Sequence, residues 1–221
     1  DGSYTIYTKA SNLKSCVEVE NASKSSGANV QQYESNGNAC QHWILEETTA
    51  AGVKLDTSQV YQFQNANSAL YLEVKDASAE AGANVQQWGA NGNDCQNWTL
   101  KEFGDGYYYI LSRLGDGKTY YLDVAEGKGD DGTNIQIFTN TKTSAQLFKF
   151  IPNPDGTYYI VTRASKDKGA LGVAAASKEQ GANVLQWTKN GSMDQMWNIT
   201  AIGAIPTPVT TTEPPVVTTE A

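Results

Sequence analysis

Short runs in which apolar and polar residues alternate recur along the chain in a fixed order. YTIYTKA at 4–10 is followed by CVEV at 16–19, VYQFQNA at 60–66 by YLEV at 71–74, YYILSRL at 108–114 by YLDV at 121–124, and YYIVTRA at 158–164 by a shortened LGV at 171–173. A longer block follows each pair. GANVQQYESNGNACQHWIL starts at Gly27, GANVQQWGANGNDCQNWTL at Gly82, GTNIQIFTNTKTSAQLFKF at Gly132 and GANVLQWTKNGSMDQMWNI at Gly181, spaced 55, 50 and 49 residues apart. The runs have a period of two and are bounded by Gly, Asn, Asp and Ser clusters, which predicts four short β-strands per repeat. No stretch sustains a 3.6-residue period with caps. Asn36-Gly37, Asn91-Gly92 and Asn190-Gly191 accept positive φ, so we expect hairpin turns between third and fourth strands there. Asp105-Gly106 and Asp155-Gly156 are turns before the first strands of repeats three and four. The domain is therefore all-β, built as propeller blades or as lobes of a closed barrel.

Composition narrows the function. The chain has 221 residues, 39% hydrophobic with 20 Gly besides, which lies in the globular range. No run approaches the roughly 20 apolar residues of a membrane-spanning helix, so no membrane partner is expected. A net charge of −8 without a basic patch argues against nucleic acid. Twelve Tyr and five Trp point to aromatic faces used at a surface or packed in a barrel. The three cysteines, Cys16, Cys40 and Cys95, have no CxxC spacing, which disfavours structural zinc. Equivalent points on separate lobes lie too far apart for a disulfide, so Cys16 with Cys40 is the pairing to look for. Glu126, Asp130 and Asp131 form an acidic loop without the alternating oxygen ligands of a calcium site. No cofactor or metal is expected. His42 occupies a place filled by Asn97, Leu147 and Met196 in the other repeats, so proton transfer is not its specialised task. From Pro206 the chain reads PTPVTTTEPPVVTTEA, an extended Thr/Pro linker.

The element common to all four repeats is Gln-x-aromatic: Gln41-His42-Trp43, Gln96-Asn97-Trp98, Gln146-Leu147-Phe148 and Gln195-Met196-Trp197. With the VQQW-like strand before it, this resembles the ricin-type lectin repeats, the β-trefoils of ricin B chain and of family 13 carbohydrate-binding modules. The resemblance covers about residues 3–200. It implies a β-trefoil-like barrel of ricin-type lectin repeats, with four repeat units instead of three. We expect 1–57 to be an additional first lobe, 58–205 a trefoil of three repeats and 206–221 a disordered linker. A four-lobed closed barrel is the alternative.

Alternation places Val85 and Gln87 on one face of their strand, with Gln86 and Trp88 on the other. Leu72 and Val74 are expected to face the core and Glu73 to face out. A carboxylate, an amide and an aromatic ring on one side suit a sugar, whose C–H face packs on the ring while its hydroxyls meet the polar groups. The resemblance implies carbohydrate contacts at Asp123, Gln136 and Phe138 in repeat three. The corresponding sets are Glu73, Gln86 and Trp88 in repeat two, and Glu18, Gln31 and Tyr33 in repeat one. An Asn that the family carries just before Gln-x-Trp is replaced by Ala145, Cys95 and Cys40. Repeat four has Gly172 and Leu185 in place of the acid and amide and is expected to be a structural lobe, although it keeps Trp187. The Gln of each Gln-x-aromatic is structural in the family. The reading is a non-catalytic, secreted carbohydrate-binding module: monomeric, part of a larger multidomain protein, and holding an attached enzyme or scaffold to polysaccharide or glycan. Glu18, Glu73 and Asp123 sit on separate lobes, which argues against a glycoside hydrolase. The alternative is a protein-interaction or structural trefoil.

Overall fold

A computed structural model describes residues 3–44 and 53–206. The expected linker beyond Pro206 lies outside the described residues. The chain divides into two compact units, 1–49 and 50–221.

In the first unit, strands β1 (Ser15–Val19) and β2 (Val30–Glu34) pair antiparallel, with Glu18 opposite Gln31 and Cys16 opposite Tyr33. Single bridges join Tyr4 to Trp43 and Tyr7 to Cys16, so the four expected runs all take part.

The second unit holds three repeats of four strands. Repeat two supplies β3 (Gln59–Asn65), β4 (Tyr71–Val74), β5 (Val85–Trp88) and β6 (Trp98–Gly104). Repeat three supplies β7 (Tyr107–Ser112), β8 (Tyr120–Val124), β9 (Thr133–Thr139) and β10 (Phe148–Pro152). Repeat four supplies β11 (Tyr158–Thr162), β12 (Gly169–Val173), β13 (Val184–Thr188) and β14 (Met196–Ala204). The first and fourth strands of each repeat close a ring in the order β3, β6, β7, β10, β11, β14 and back to β3. Closure removes the free edges that an open sheet would expose. The second and third strands form hairpins β4–β5, β8–β9 and β12–β13. A six-stranded ring with three hairpins is a β-trefoil, and it closes with residues of repeats two to four.

Fully buried Phe63, Trp98, Phe148, Phe150 and Trp197 come from ring strands, and Leu72, Val74, Val85, Leu122 and Ile135 from the hairpins. Phe63 lies 5.9 Å from Phe150 and 6.5 Å from Trp98, ring centre to ring centre. One Asn from each repeat joins the hairpins: Asn84 donates to Asn183 (2.8 Å), Asn183 to Asn134 (2.8 Å) and Asn134 to Asn84 (2.9 Å). The three amides form a closed cycle in which each gives and takes one bond.

One local expectation is corrected. The Asn-Gly pairs are not hairpin turns, because third and fourth strands of a repeat do not pair. The Asn side chain instead accepts a bond from the backbone N–H two residues on, from Asn36 to Asn38 (3.0 Å), Asn91 to Asn93 (2.9 Å) and Asn190 to Ser192 (2.9 Å). This turn feeds a 3-10 turn carrying the Gln: Ala39–Gln41, Asp94–Gln96 and Met193–Gln195, matched by Ser144–Gln146 in repeat three. A second 3-10 turn follows each repeat's second strand, at Glu20–Ala22, Lys75–Ala77, Ala125–Gly127 and Ala174–Ala176. The two turns fold back over the hairpin and make the lobe.

Candidate functional site

The lobe of repeat two is built around one carboxylate. Register sets Glu73 opposite Gln86 on the β4–β5 hairpin. Glu73 Oε1 accepts from Gln86 Nε2 (3.1 Å), and its Oε2 accepts from Asn91 Nδ2 (2.7 Å) and Gln96 Nε2 (2.8 Å). Glu73 is 5% exposed, so it does not face out as the alternation predicts. The lobe's own loop covers that strand face, and three amide donors offset the cost of burying the charge. A carboxylate offers about four lone-pair sites; the amides take three, and the weak thiol donor of Cys95, 3.8 Å from Oε2, faces the fourth. A cavity of about 220 Å³ opens above it, lined by Glu73, Gln86, Trp88, Asp76, Asn91 and Cys95 among others. Trp88 is 40% exposed. Its ring edge lies 3.4 Å from where a side chain on Gly181 would begin, and Gly181 has φ +81°. The positive φ favours glycine there, and the backbone of repeat four lies directly against the indole of repeat two.

Repeat three repeats this plan with more room. Asp123 Oδ1 accepts from Gln136 Nε2 (3.0 Å), and no counterpart of Asn91 reaches it because Thr141 holds that place. Burial raises the Asp123 carboxyl above the usual aspartate value, partly offset by hydrogen bonds from Gln136 and Gln146. Asp123, Gln136 and half-buried Phe138 share a cavity of about 540 Å³ with Glu126, Thr141, Thr143, Ser144 and Ala145. Two carboxylates therefore line this cavity, and two line that of repeat two (Glu73 and Asp76). Equivalent strand positions do not reveal the second acid of either cavity, because Asp76 and Glu126 sit on the 3-10 turns. Glu126 is paired with Lys128 at 2.7 Å, which holds its carboxyl below the usual value.

In the first unit Glu18 Oε1 accepts from Gln31 (3.0 Å) and Oε2 from Gln41 (2.9 Å), while Tyr33 on the same strand as Gln31 is 53% exposed. Glu18 and Asp123 are buried as Glu73 is, and Gln86, expected on the outward face with Trp88, is buried too. The Gln of Gln-x-aromatic is thus the inner partner of the acid. Each also carries the loop: Gln96 donates to Gly89 O (2.7 Å) and accepts from Asn91 N (3.2 Å). The aromatic partner packs inward, with Trp43, Trp98 and Trp197 Nε1 donating to Val17, Leu72 and Leu171 O.

All three cysteines are free. Cys40 Sγ lies 3.9 Å from Glu18 Oε2, and Cys95 Sγ lies 3.8 Å from Glu73 Oε2. The repeat directs this thiol at the acid, away from Cys16, so the suggested Cys16–Cys40 bridge is not formed. Asn91 is the contributor that the sequence reading assigned to a turn alone. Its signal was the absence of a second Asn in the family's usual place.

The sequence profile of the ricin-type beta-trefoil lectin domain-like family matches residues 1–59, 53–138, 115–187 and 144–207. The chain belongs to this ricin-type lectin family. The four overlapping matches together span all four repeats. A designed threefold-symmetric protein, ThreeFoil, is 34% identical with a TM-score of 0.60, covering 63% of this chain and 96% of its own. An exo-beta-1,3-galactanase from Clostridium thermocellum is 24% identical with a TM-score of 0.61, covering 85% of this chain and 38% of its own. The clotting factor G alpha subunit of Tachypleus tridentatus is 36% identical over 69 residues, 30% of this chain. The aligned part spans 10% of that relative's length.

Proposed function

We propose that this ricin-type lectin chain is a non-catalytic carbohydrate-binding module that grips polysaccharide or glycan through several weak lobes. The carrying observation is the build of the lobes in repeats two and three: a buried, amide-held carboxylate at the floor of an open cavity with an aromatic ring at its wall. A saccharide hydroxyl donates to Asp123, or to Glu73 in place of the weak Cys95 thiol contact. Gln86 or Gln136 fixes the acid, and Trp88 or Phe138 takes the C–H face of the ring. Glu18, Gln31 and Tyr33 do the same in the first unit. Residues 58–205 act as the binding trefoil and 1–57 as an added lobe. The Thr/Pro segment 206–221 tethers an enzyme or scaffold in a secreted, multidomain protein.

A glycan screen with xylan, arabinogalactan, pectin and simple galactosides tests this. Binding is expected, and Trp88→Ala and Phe138→Ala each weaken it about 3- to 10-fold while the fold is kept. Absence of binding to every glycan overturns the proposal. The shared cavity of Asp123 and Glu126 favours one rival, glycoside hydrolysis. Turnover of a chromogenic glycoside, lost in Glu126→Gln, would establish that rival.

A further inference from the structure

The fourth lobe lacks both the strand acid and the strand amide, yet it has a cavity of about 340 Å³, larger than that of repeat two. Its wall holds Trp187, 46% exposed, with Asn190 and Ser192 nearby. It also holds Asp194, at the place that Cys40, Cys95 and Ala145 fill in the other repeats. A side chain beginning at Gly172 would meet Asp194 Oδ2 at 3.3 Å and Gln195 Cγ at 3.0 Å. The carboxylate of this lobe therefore occupies the space next to where the strand acid would start. Glycine on the strand and aspartate on the turn are complementary changes: the acid has moved from β12 to the 3-10 turn that faces it.

The move changes what the acid can do. In repeats one and two the strand carboxylate is held by amides of the lobe. Among the described residues no side chain donates a hydrogen bond to the Asp194 carboxylate, although Asn65 Nδ2 donates to its backbone O (2.7 Å). Gln195 instead gives its amide to Thr188 O (3.0 Å). A half-buried carboxylate beside an exposed indole, with its acceptor sites unused, is ready for a ligand's hydroxyls. The remaining lining is less polar than in the other lobes. Leu185 replaces Gln86 and Gln136, and Ala175 replaces Asp76 and Glu126. Gly172, beside them, presents backbone where the other repeats carry an acid, and Asp194 and Gln195 pack against it.

We infer that the fourth lobe is a saccharide site of its own, with Asp194 as hydroxyl acceptor and Trp187 as the ring plate. Its apolar floor of Gly172, Ala175 and Leu185 selects a sugar unit bearing a methyl-terminated substituent, as in a 6-deoxy or 2-acetamido sugar. This rests on the carbohydrate reading and adds a site and a selectivity to it.

The test uses the full chain carrying Tyr33→Ala, Trp88→Ala and Phe138→Ala, which silences the other aromatic plates. Methyl glycosides of galactose and glucose are titrated as parent, 6-deoxy and 2-acetamido forms while the Trp187 indole N–H resonance is followed. The expected result is a shift of that resonance, with a methyl-bearing form binding about fourfold more tightly than its parent. Asp194→Ala is expected to abolish the shift while the buried Trp197 resonance stays in place, which shows that the fold is kept. Equal binding of parent and substituted forms overturns the selectivity. Glycan binding by the unaltered chain that moves Trp88 and not Trp187, or that is unchanged in Asp194→Ala, overturns the site and leaves the carbohydrate reading standing. If no glycan moves any lobe, both fall.

Discussion

A single buried carboxylate sets the chemistry in each of the first three lobes, and its surroundings make two predictions. Asp123 is raised by desolvation, so between the usual aspartate value and its own raised value the folded state binds a proton that the unfolded chain releases. Its contribution to stability therefore becomes more favourable as pH falls through the folded value. A saccharide hydroxyl needs the ionised oxygen, so binding in repeat three falls over the same interval. Stability of the native chain relative to Asp123→Asn should rise on acidification while its affinity advantage shrinks. Denaturant melts and titrations across that range measure both, and parallel changes would contradict the assignment. The second prediction compares two equivalent amides. Gln96 holds a loop and also donates to buried Glu73, whereas Gln195 holds only a loop. Gln96→Leu leaves a buried charge one donor short, so it should cost about 1.5–3 kcal/mol more than Gln195→Leu. Urea unfolding of the two variants gives the difference directly.

Strands and turns were unequally visible in the sequence. All four strands of repeats two to four follow from the alternating runs, because burial on one face imposes a period of two. The 3-10 turns left no such trace, since three residues are too short for a periodicity. The lobe is made of those turns, so they decide whether the acid faces solvent or the lobe interior. Alternation therefore places Glu73 on the correct strand but in the wrong environment. Asn91 was recognised as a turn former, while its Nδ2 bond to Glu73 depends on a contact 18 residues away in sequence. Gln87 was likewise beyond local reading. Fully buried, it donates to Ser177 O and Glu179 O and so ties β5 to the loop of repeat four. The amide cycle gives a test between elements. Asn84→Ala leaves an acceptor on Asn183 and a donor on Asn134 unpaired, and should cost about 1 kcal/mol at these half-buried positions. Replacing all three Asn with Leu removes every orphaned group, so the triple variant should cost well under three times the single one. Thermal melts decide this, and strict additivity would show that the cycle does not act as a unit.

Across the whole molecule, the repeat multiplies a weak contact. One lobe offers a few hydrogen bonds, each worth on the order of 1 kcal/mol net, and one stacking surface. Such a site holds a monosaccharide poorly. A polymer that engages two lobes pays for its encounter once, and the second contact forms at an effective concentration set by the span between sites. Loss of one plate should therefore weaken polymer binding by a larger factor than monosaccharide binding. Trp88→Ala and Phe138→Ala, measured singly and together on a soluble polysaccharide and on its monosaccharide glycoside, separate the two cases. On the glycoside each variant removes one independent site and leaves the other's affinity unchanged. On the polymer each single variant should lose more than on the glycoside, because one lobe fewer remains to rebind the same chain. Equal losses on polymer and glycoside would mean that the lobes act alone and that repetition serves the barrel rather than binding.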